Sequence, residues 1–216
     1  PVRMIAGMLY DVYEEARLQA TLVSLGLSEL ESSILIQQIE RKINVPLTSS
    51  TGRVLDAVAA ALDVCQKRTY DGEPAMRLEG VAHYGYPSVA LPVEITSYAG
   101  RPVLDTRLIL DAVLVAKQRG ERTKDIAASA QNTIAEGIAM IAAQAAEAMG
   151  VNVVGLSGGV AYNKAIVKKI KSVCALSDLE LFSNTAVPRG DGGISFGQAV
   201  LTAMIKSGQY ELAIRP

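Results

Sequence analysis

The sequence predicts an α/β fold, and three observations carry that expectation. An apolar run, Val151 to Leu156, ends at a Gly158-Gly159 pair and gives way to a Lys-rich helical pattern, which reads as strand, tight turn and helix start. A second unit repeats the order, with apolar Leu179–Phe182, the glycine-rich stretch Pro188 to Gln198, and helical spacing from Gly193 to Lys206. Ahead of both lies a long Ala-rich segment, Thr123 to Met149, with apolar residues at helical spacing. Hydrophobic residues make up 50% of the 216 and aromatic residues 5%, with no Trp, which suits an interior packed from Ala, Val, Leu and Ile.

Residues 4 to 43 show helical spacing. Leu9, Tyr13, Leu18, Leu22 and Leu25 can share one face of a first helix that Gly26 ends. Ser28 then stands as N-cap of a fresh helix with Glu31 in the capping-box position, and Ile34, Ile36, Ile39 and Ile43 continue it. This region reads as packing material without chemistry.

The hydroxyl-rich loop Val45 to Arg53 precedes a helix over Val54–Val64 and can cap it. Arg53 and Asp56 lie three apart, on neighbouring faces. They form either a local ion pair, worth little if exposed, or a carboxylate at a cleft mouth able to accept from ribose hydroxyls. The spacing favours the first. Tyr70 to Met76 is a Gly/Pro turn leading into a helix with Met76 and Leu78. Glu73 there either binds a hydroxyl-bearing ligand or sits near a helix N-terminus, where its charge is favoured. His83 is the chain's one histidine and reads as a surface or loop residue rather than a metal ligand.

Val89, Leu91, Val93 and Ile95 alternate, so Ser88–Ile95 is expected to be a strand, with a turn over Ser97–Pro102 and a short partner at Val103–Thr106. Leu108–Lys117 is expected to be helical. The long helix from Thr123 should bury Ile126, Ile134, Ile138, Ile141 and Ala145 and close at Gly150. The last units are strand Val151–Leu156, helix Ala161–Val173, strand Leu179–Phe182 and helix Gly193–Lys206, and the apolar strands argue for a sheet covered on both faces. Hinges at 44–50 or 85–90 are conceivable, but no domain boundary is drawn.

The chemistry concentrates in the glycine turns. In Leu156-Ser157-Gly158-Gly159-Val160-Ala161-Tyr162-Asn163, adjacent glycines permit close backbone approach to a ligand. Free N–H groups at the next helix favour anionic or hydrogen-bonding groups. Asn163 falls where an amide reaches a ribose or base edge. Alone, such a turn equally suits a strand–helix connection with no ligand. A second glycine-rich turn carrying a carboxylate, Asp191, makes a site the stronger reading.

The net charge of −1 gives no reason to expect nucleic acid or an anionic membrane as partner. Cys65 and Cys174 lack metal-type spacing and are too few for a disulfide framework, which points to reduced thiols and a cytoplasmic setting. No stretch has the apolar length of a membrane span, and no signal peptide is evident. A chain opening on Pro1 is expected to be an excised piece of something longer, which would divide a catalytic site.

Taken together, the motifs resemble the HypF hydrogenase maturation family, in the C-terminal part of its Kae-like carbamoyltransferase domain. The matching segments are Pro1-Val2-Arg3-Met4, Thr48 through Ala60, Tyr70 through Glu79, Leu156-Ser157-Gly158-Gly159-Val160 with Asn163, and Asp191 through Ser195 with Gly197-Gln198. They run in family order across nearly the whole of residues 1–216, taken as a single lobe. The tRNA threonylcarbamoyladenosine transferase family is the runner-up, sharing the Gly-Gly-Val…Asn turn and the late Asp but less similar around Thr48–Asp56 and Tyr70–Glu79.

The resemblance implies the ASKHA architecture of actin, sugar kinases and Hsp70, here one ribonuclease H-like lobe with added helices. It implies a transferase that passes a carbamoyl group from carbamoyl adenylate, made from carbamoyl phosphate and ATP, to the C-terminal cysteine of the partner HypE, for the cyanide ligands of nickel–iron hydrogenase. Carried over, Gly158, Gly159 and Asn163 contact the adenosine, Asp56, Gly72 and Glu73 lie near its ribose, and Asp191 ligates a divalent metal, zinc or iron. The family's His ligands lie upstream of Pro1, so this piece alone is expected to be inactive, to bind adenine nucleotide weakly and to hold no metal. Ala130-Gln131 stands where the family often has Phe-His, and Arg189-Gly190 replaces its usual Pro-Asn. A non-catalytic ASKHA nucleotide-binding module is the alternative.

Overall fold

A computed structural model describes residues 1–208. The N-terminal half is helical: α1 (Val2–Leu9), α2 (Glu15–Ser24), α3 (Glu29–Glu40), α4 (Thr51–Ala61) and α5 (Glu73–Ala82). A hairpin of β1 (Ile95–Tyr98) and β2 (Arg101–Leu104) leads into α6 (Thr106–Gln118) and α7 (Thr123–Met149). Then come β3 (Val153–Gly155), a 3-10 turn (Gly159–Tyr162), α8 (Lys164–Leu176), β4 (Glu180–Phe182), a second 3-10 turn (Asp191–Gly193) and α9 (Ile194–Lys206).

The core forms around α4 and α7. From Val54 to Ala61 every residue of α4 is buried, because the stretch is apolar all round apart from Asp56 and so needs cover on every side. It packs against α1, α5, α6 and α7, and the alanines allow the axes to approach closely. The β hairpin also lies close on α7: a Cβ on Gly137 would lie 2.5 Å from a methyl of Leu104 in β2. Ile126 and Ile134 are buried as the periodicity predicts, Ile138 and Ile141 pack partly buried at the margin, and Gly150 closes α7 at φ +65°.

The expected first helix is two. Leu9, Tyr13, Leu18, Leu22 and Leu25 do reach one core, from α1, the connecting turn, α2 and its end. Tyr13 is turned inward there: its hydroxyl donates to Asp111 of α6 at 2.5 Å and Arg17 stacks on its ring, contacts that local periodicity does not encode. The capping box of Ser28 and Glu31 is present in full, but α3 buries Leu35 and Ile36 while Ile34 and Ile43 are exposed.

Residues 88–94 are not a strand. Val89, Leu91 and Val93 alternate in burial because the segment lies against the helical core, with no partner strand among the described residues, and pairing starts only at Ile95, which faces Leu104. The expected sheet with two covered faces is also corrected. β3 and β4 form a two-stranded parallel sheet whose one side meets α7 and α8, while Val153 and Phe182 are exposed among the described residues. Apolar strands state that both faces want cover, not which element supplies it. The helix expected from Ala161 starts at Lys164, since the 3-10 turn precedes it, and α9 forms as expected with no buried residue.

Candidate functional site

Asp56 lies in α4, whose N-terminus Ser50 caps through its hydroxyl to the Arg53 N–H at 3.4 Å. The Asp56 carboxyl is buried and pairs with Arg53 at 3.4 Å. The local ion pair therefore exists, but not as a surface pair, because its carboxylate half is inside. Burial pushes the Asp56 carboxyl above its usual range, and the Arg53 cation opposes that. α4, which carries Asp56, packs against α5.

Gly72 N-caps α5 at φ +80°, a conformation glycine adopts without penalty. Glu73 follows, 1% exposed. One of its oxygens accepts from the Thr69 N–H and hydroxyl, and the other meets Arg77 at 2.6 Å. The Thr69 N–H bond, chief among these contacts, holds the Glu73 carboxyl below its usual range.

The glycine turns meet. Gly158 has φ +97° and ψ 172°, a region that only glycine occupies easily, and its N–H donates to the Arg189 carbonyl at 2.7 Å. The Arg189 guanidinium donates back to the Ala161 carbonyl at 3.3 Å and to Asn184 at 2.9 Å. Tyr162 accepts from the Gly190 N–H at 3.1 Å, and a Cβ on Gly190 would lie 2.8 Å from the Tyr162 ring. Arg189-Gly190 thus clamps the loop carrying Asp191 onto the first turn.

Asn163 is the N-cap of α8, accepting the Ile166 N–H on Oδ1 at 3.0 Å while 5% exposed. That bond uses Oδ1 and leaves the amide N–H2 for a second partner. Gly158, Gly159 and Asn163 thus sit with Asp191 on one rim, and Asp56 sits with Gly72 and Glu73 on another. α4, which packs on both α5 and the first 3-10 turn, joins the two rims. One hydrogen bond ties the helices that carry them: the Lys164 N–H at the start of α8 donates to Glu79 of α5 at 3.2 Å.

Thr69, Tyr162 and Arg189 escape a reading from spacing. Thr69 had a usable signal, a hydroxyl four residues ahead of a carboxylate across a Gly turn. The other two act over 28 residues of chain, which no local pattern reports. Asp191 is exposed in its 3-10 turn, and the described residues contain no group of three or more His, Cys, Asp or Glu able to hold a metal ion. These residues supply one ligand and do not by themselves fit a metal centre.

Residues 1–198 match the family described as the carbamoyltransferase Kae1-like domain, second subdomain. The probable carbamoyltransferase HypF of Methanocaldococcus jannaschii is 37% identical over 200 residues, covering 93% of this chain and 26% of that protein. The crystal structure of T. kodakarensis HypF superposes with TM-score 0.82 at 36% identity, over 96% of this chain and 28% of that one. A full-length HypF in a phosphate- and nucleotide-bound form gives TM-score 0.81 at 33% identity, over 94% and 26%. The chain spans about a quarter of the length of these proteins. The mixed helix and strand architecture is that of the ASKHA fold, as expected.

Proposed function

The chain belongs to the carbamoyltransferase Kae1-like domain family, as its second subdomain, and from that premise we propose that it is the nucleotide-binding part of a HypF-type carbamoyltransferase. The observation that carries the reading is the clamp between the two glycine turns, Gly158 N–H to Arg189 C=O at 2.7 Å. It holds one bare backbone rim at the start of α8, where the glycines let a ligand approach the main chain. The nucleotide-bound HypF relative supports an adenine nucleotide as that ligand.

In this proposal Gly158 and Gly159 let the nucleotide approach the backbone, and the Asn163 N–H2 donates to its adenosine. Asp56 accepts from ribose hydroxyls, with Gly72 and Glu73 shaping the adjoining wall. The donor is carbamoyl adenylate. A thiolate, the C-terminal cysteine of HypE, attacks the carbamoyl carbon, the C–S bond forms, the C–O bond to phosphate breaks and AMP leaves with the electron pair. A divalent metal bound in the complete domain would polarise the carbonyl, with Asp191 as one ligand. The setting is cytoplasmic and the rest of the catalytic site belongs to the upstream half, so this chain alone transfers nothing. Among the described residues, no helix is long and apolar enough to cross a membrane.

Calorimetric titration with ATP and AMP tests the nucleotide assignment. Asn163→Ala would lose the α8 cap, about 1 kcal/mol of stability, as well as any ligand contact. Asn163→Ser keeps a capping oxygen, so it should melt near wild type yet bind nucleotide more weakly. Equal binding by wild type and Asn163→Ser removes Asn163 from the site. For transfer, the complete domain should carbamoylate HypE, read by mass spectrometry of its C-terminal cysteine. Asp191→Ala should abolish the product, and undiminished product overturns the metal role.

A further inference from the structure

A cavity of about 250 Å3 opens where the end of α1, the turn after it, α2 and α3 meet. It is lined by Tyr10, Tyr13, Glu15, Leu18, Ile36 and Glu40. Leu18 and Ile36 are buried, at 1% and 5% exposure, so the inner wall belongs to the core and is apolar. Tyr13 is fixed in place: its hydroxyl donates to Asp111 of α6, and Arg17 lies over its ring, 3.6 Å from the centroid. α1, α2 and α3 pack on one another, so the walls are set by the fold. The volume lies just below the usual range of ligand cavities, about 300–1,000 Å3, and suits a group the size of one side chain.

The charged part of the lining is all of one sign. Glu15 opens α2 and Glu40 closes α3; both are exposed, and neither makes an ion pair among the described residues. No Lys or Arg lines the cavity. The stretch Tyr10 to Glu15, which supplies half of the lining residues, also carries Asp11 and Glu14 and no base. Glu40 stands at the C-terminal end of α3, where the helix dipole opposes a negative charge and favours a cation. Arg41 follows it as the C-cap but does not line the cavity.

This molecule already holds one cation with such a set. Arg17 is kept by the Tyr13 ring and the Asp111 carboxylate together, an aromatic group and an acid on one guanidinium. The cavity offers two tyrosines and two glutamates, and none of its lining residues is a cation. The apolar wall suits a hydrocarbon stem, and the rings and carboxylates suit a charged head. We propose that this cavity binds an aliphatic cation of about the size of a lysine or arginine side chain, with Glu15 and Glu40 meeting its ammonium or guanidinium head. An anion would be repelled by the lining, and a neutral alkyl group would leave both carboxylates unanswered. The site does not depend on the nucleotide assignment: none of Asp56, Gly72, Glu73, Gly158, Gly159 or Asn163 lines it.

The test uses the full chain labelled with 15N, read at the main-chain N–H signals of Tyr10, Tyr13, Glu15 and Glu40. The probes are n-butylammonium chloride, 1-butanol with matching sodium chloride, and Nα-acetyl-lysine N-methylamide. Butylammonium should move these signals and bind about tenfold more tightly than 1-butanol, the combined value of an exposed ion pair and a cation–π contact. Glu15→Gln and Glu40→Gln together should erase that preference, while ATP binds as it does to wild type. Both side chains are exposed, so the changes are mild to the fold. Glu40→Gln alone should melt no lower than wild type, because it removes a charge that the end of α3 opposes. Either of two results supports the proposal and identifies the source of the cation. Blocked lysine binding as tightly as butylammonium assigns the cavity to a basic side chain of a partner protein, and butylammonium binding alone assigns it to a free small amine. Equal affinity for butylammonium and 1-butanol, or a preference that survives the double variant, would overturn the proposal. So would shifts spread over exposed acidic residues throughout the chain and not concentrated at these four.

Discussion

Thr69 donates its main-chain N–H and its hydroxyl to the same carboxylate oxygen of Glu73, at 2.5 and 2.9 Å. Between these residues lies Gly72 in its left-handed conformation, so the carboxylate ties down the turn from which α5 starts. A residue assigned to the ribose wall is thus also the anchor of that wall. Its two roles can be separated by pH.

The Glu73 carboxyl is held below its usual range in the fold. Its stabilisation is therefore complete above the ordinary glutamate range and is lost as pH falls through the lowered value. Glu73→Gln should melt at a lower temperature than wild type at neutral pH, and the difference should shrink in acid. Thermal melts across an acid-to-neutral series check this, and an unchanged melting temperature at neutral pH would refute the anchor. Thr69→Val should show the same loss in smaller degree, since it keeps the main-chain donor.

Asp56 has the opposite sign. Burial raises its carboxyl, so the protonated form suits the fold; that preference stabilises the protein below the ordinary aspartate range and is lost as pH rises through the raised value. Asp56→Asn should therefore melt above wild type at neutral pH and converge with it in acid. The same variant should bind ATP more weakly, by calorimetry, if the carboxylate accepts from ribose. Increased stability together with unchanged affinity would leave Asp56 as a buried ion-pair residue and nothing more.

Gly85 has no room for a side chain. Gly85→Ala would drive its methyl into the Lys124 carbonyl, so the loop has to leave α7, breaking the Tyr86–Asp125 and Val89–Ser129 bonds. The expected cost is about 1–3 kcal/mol, as for other overpacked sites. Denaturant unfolding measures it. Hydrogen exchange should locate the added opening at residues 85–89, and exchange unchanged there would show that the loop is not held as described.

Much of this protein was legible in the residues alone. Glycine spacing marked both turns: the first needs the φ of Gly158, which few other residues tolerate, and the second needs bare backbone, since a Cβ on Gly190 would lie 2.8 Å from the Tyr162 ring and one on Gly193 2.3 Å from the Pro188 carbonyl oxygen. Hydroxyl and carboxylate spacing marked the Ser28–Glu31 box, and apolar periodicity marked the helices α4 and α7, with Ile126 and Ile134 buried as expected and Ala145 exposed. These features are written locally, in backbone preferences and in which side chains shun water. Tertiary structure decided the rest. Val89, Leu91 and Val93 alternate like a strand, yet only the packing shows that they lie against the helical core, with the Val89 N–H given to the Ser129 hydroxyl rather than to a neighbouring strand. Asn163 was legible as a polar residue near a glycine turn, but its use of Oδ1 for the cap and not for a ligand depends on where α8 begins. The Arg189 clamp and the buried Gln131 amide, without a hydrogen-bond partner among the described residues, are outcomes of long-range packing. Periodicity records that a side chain is buried; only the assembled core determines which atoms it is buried against.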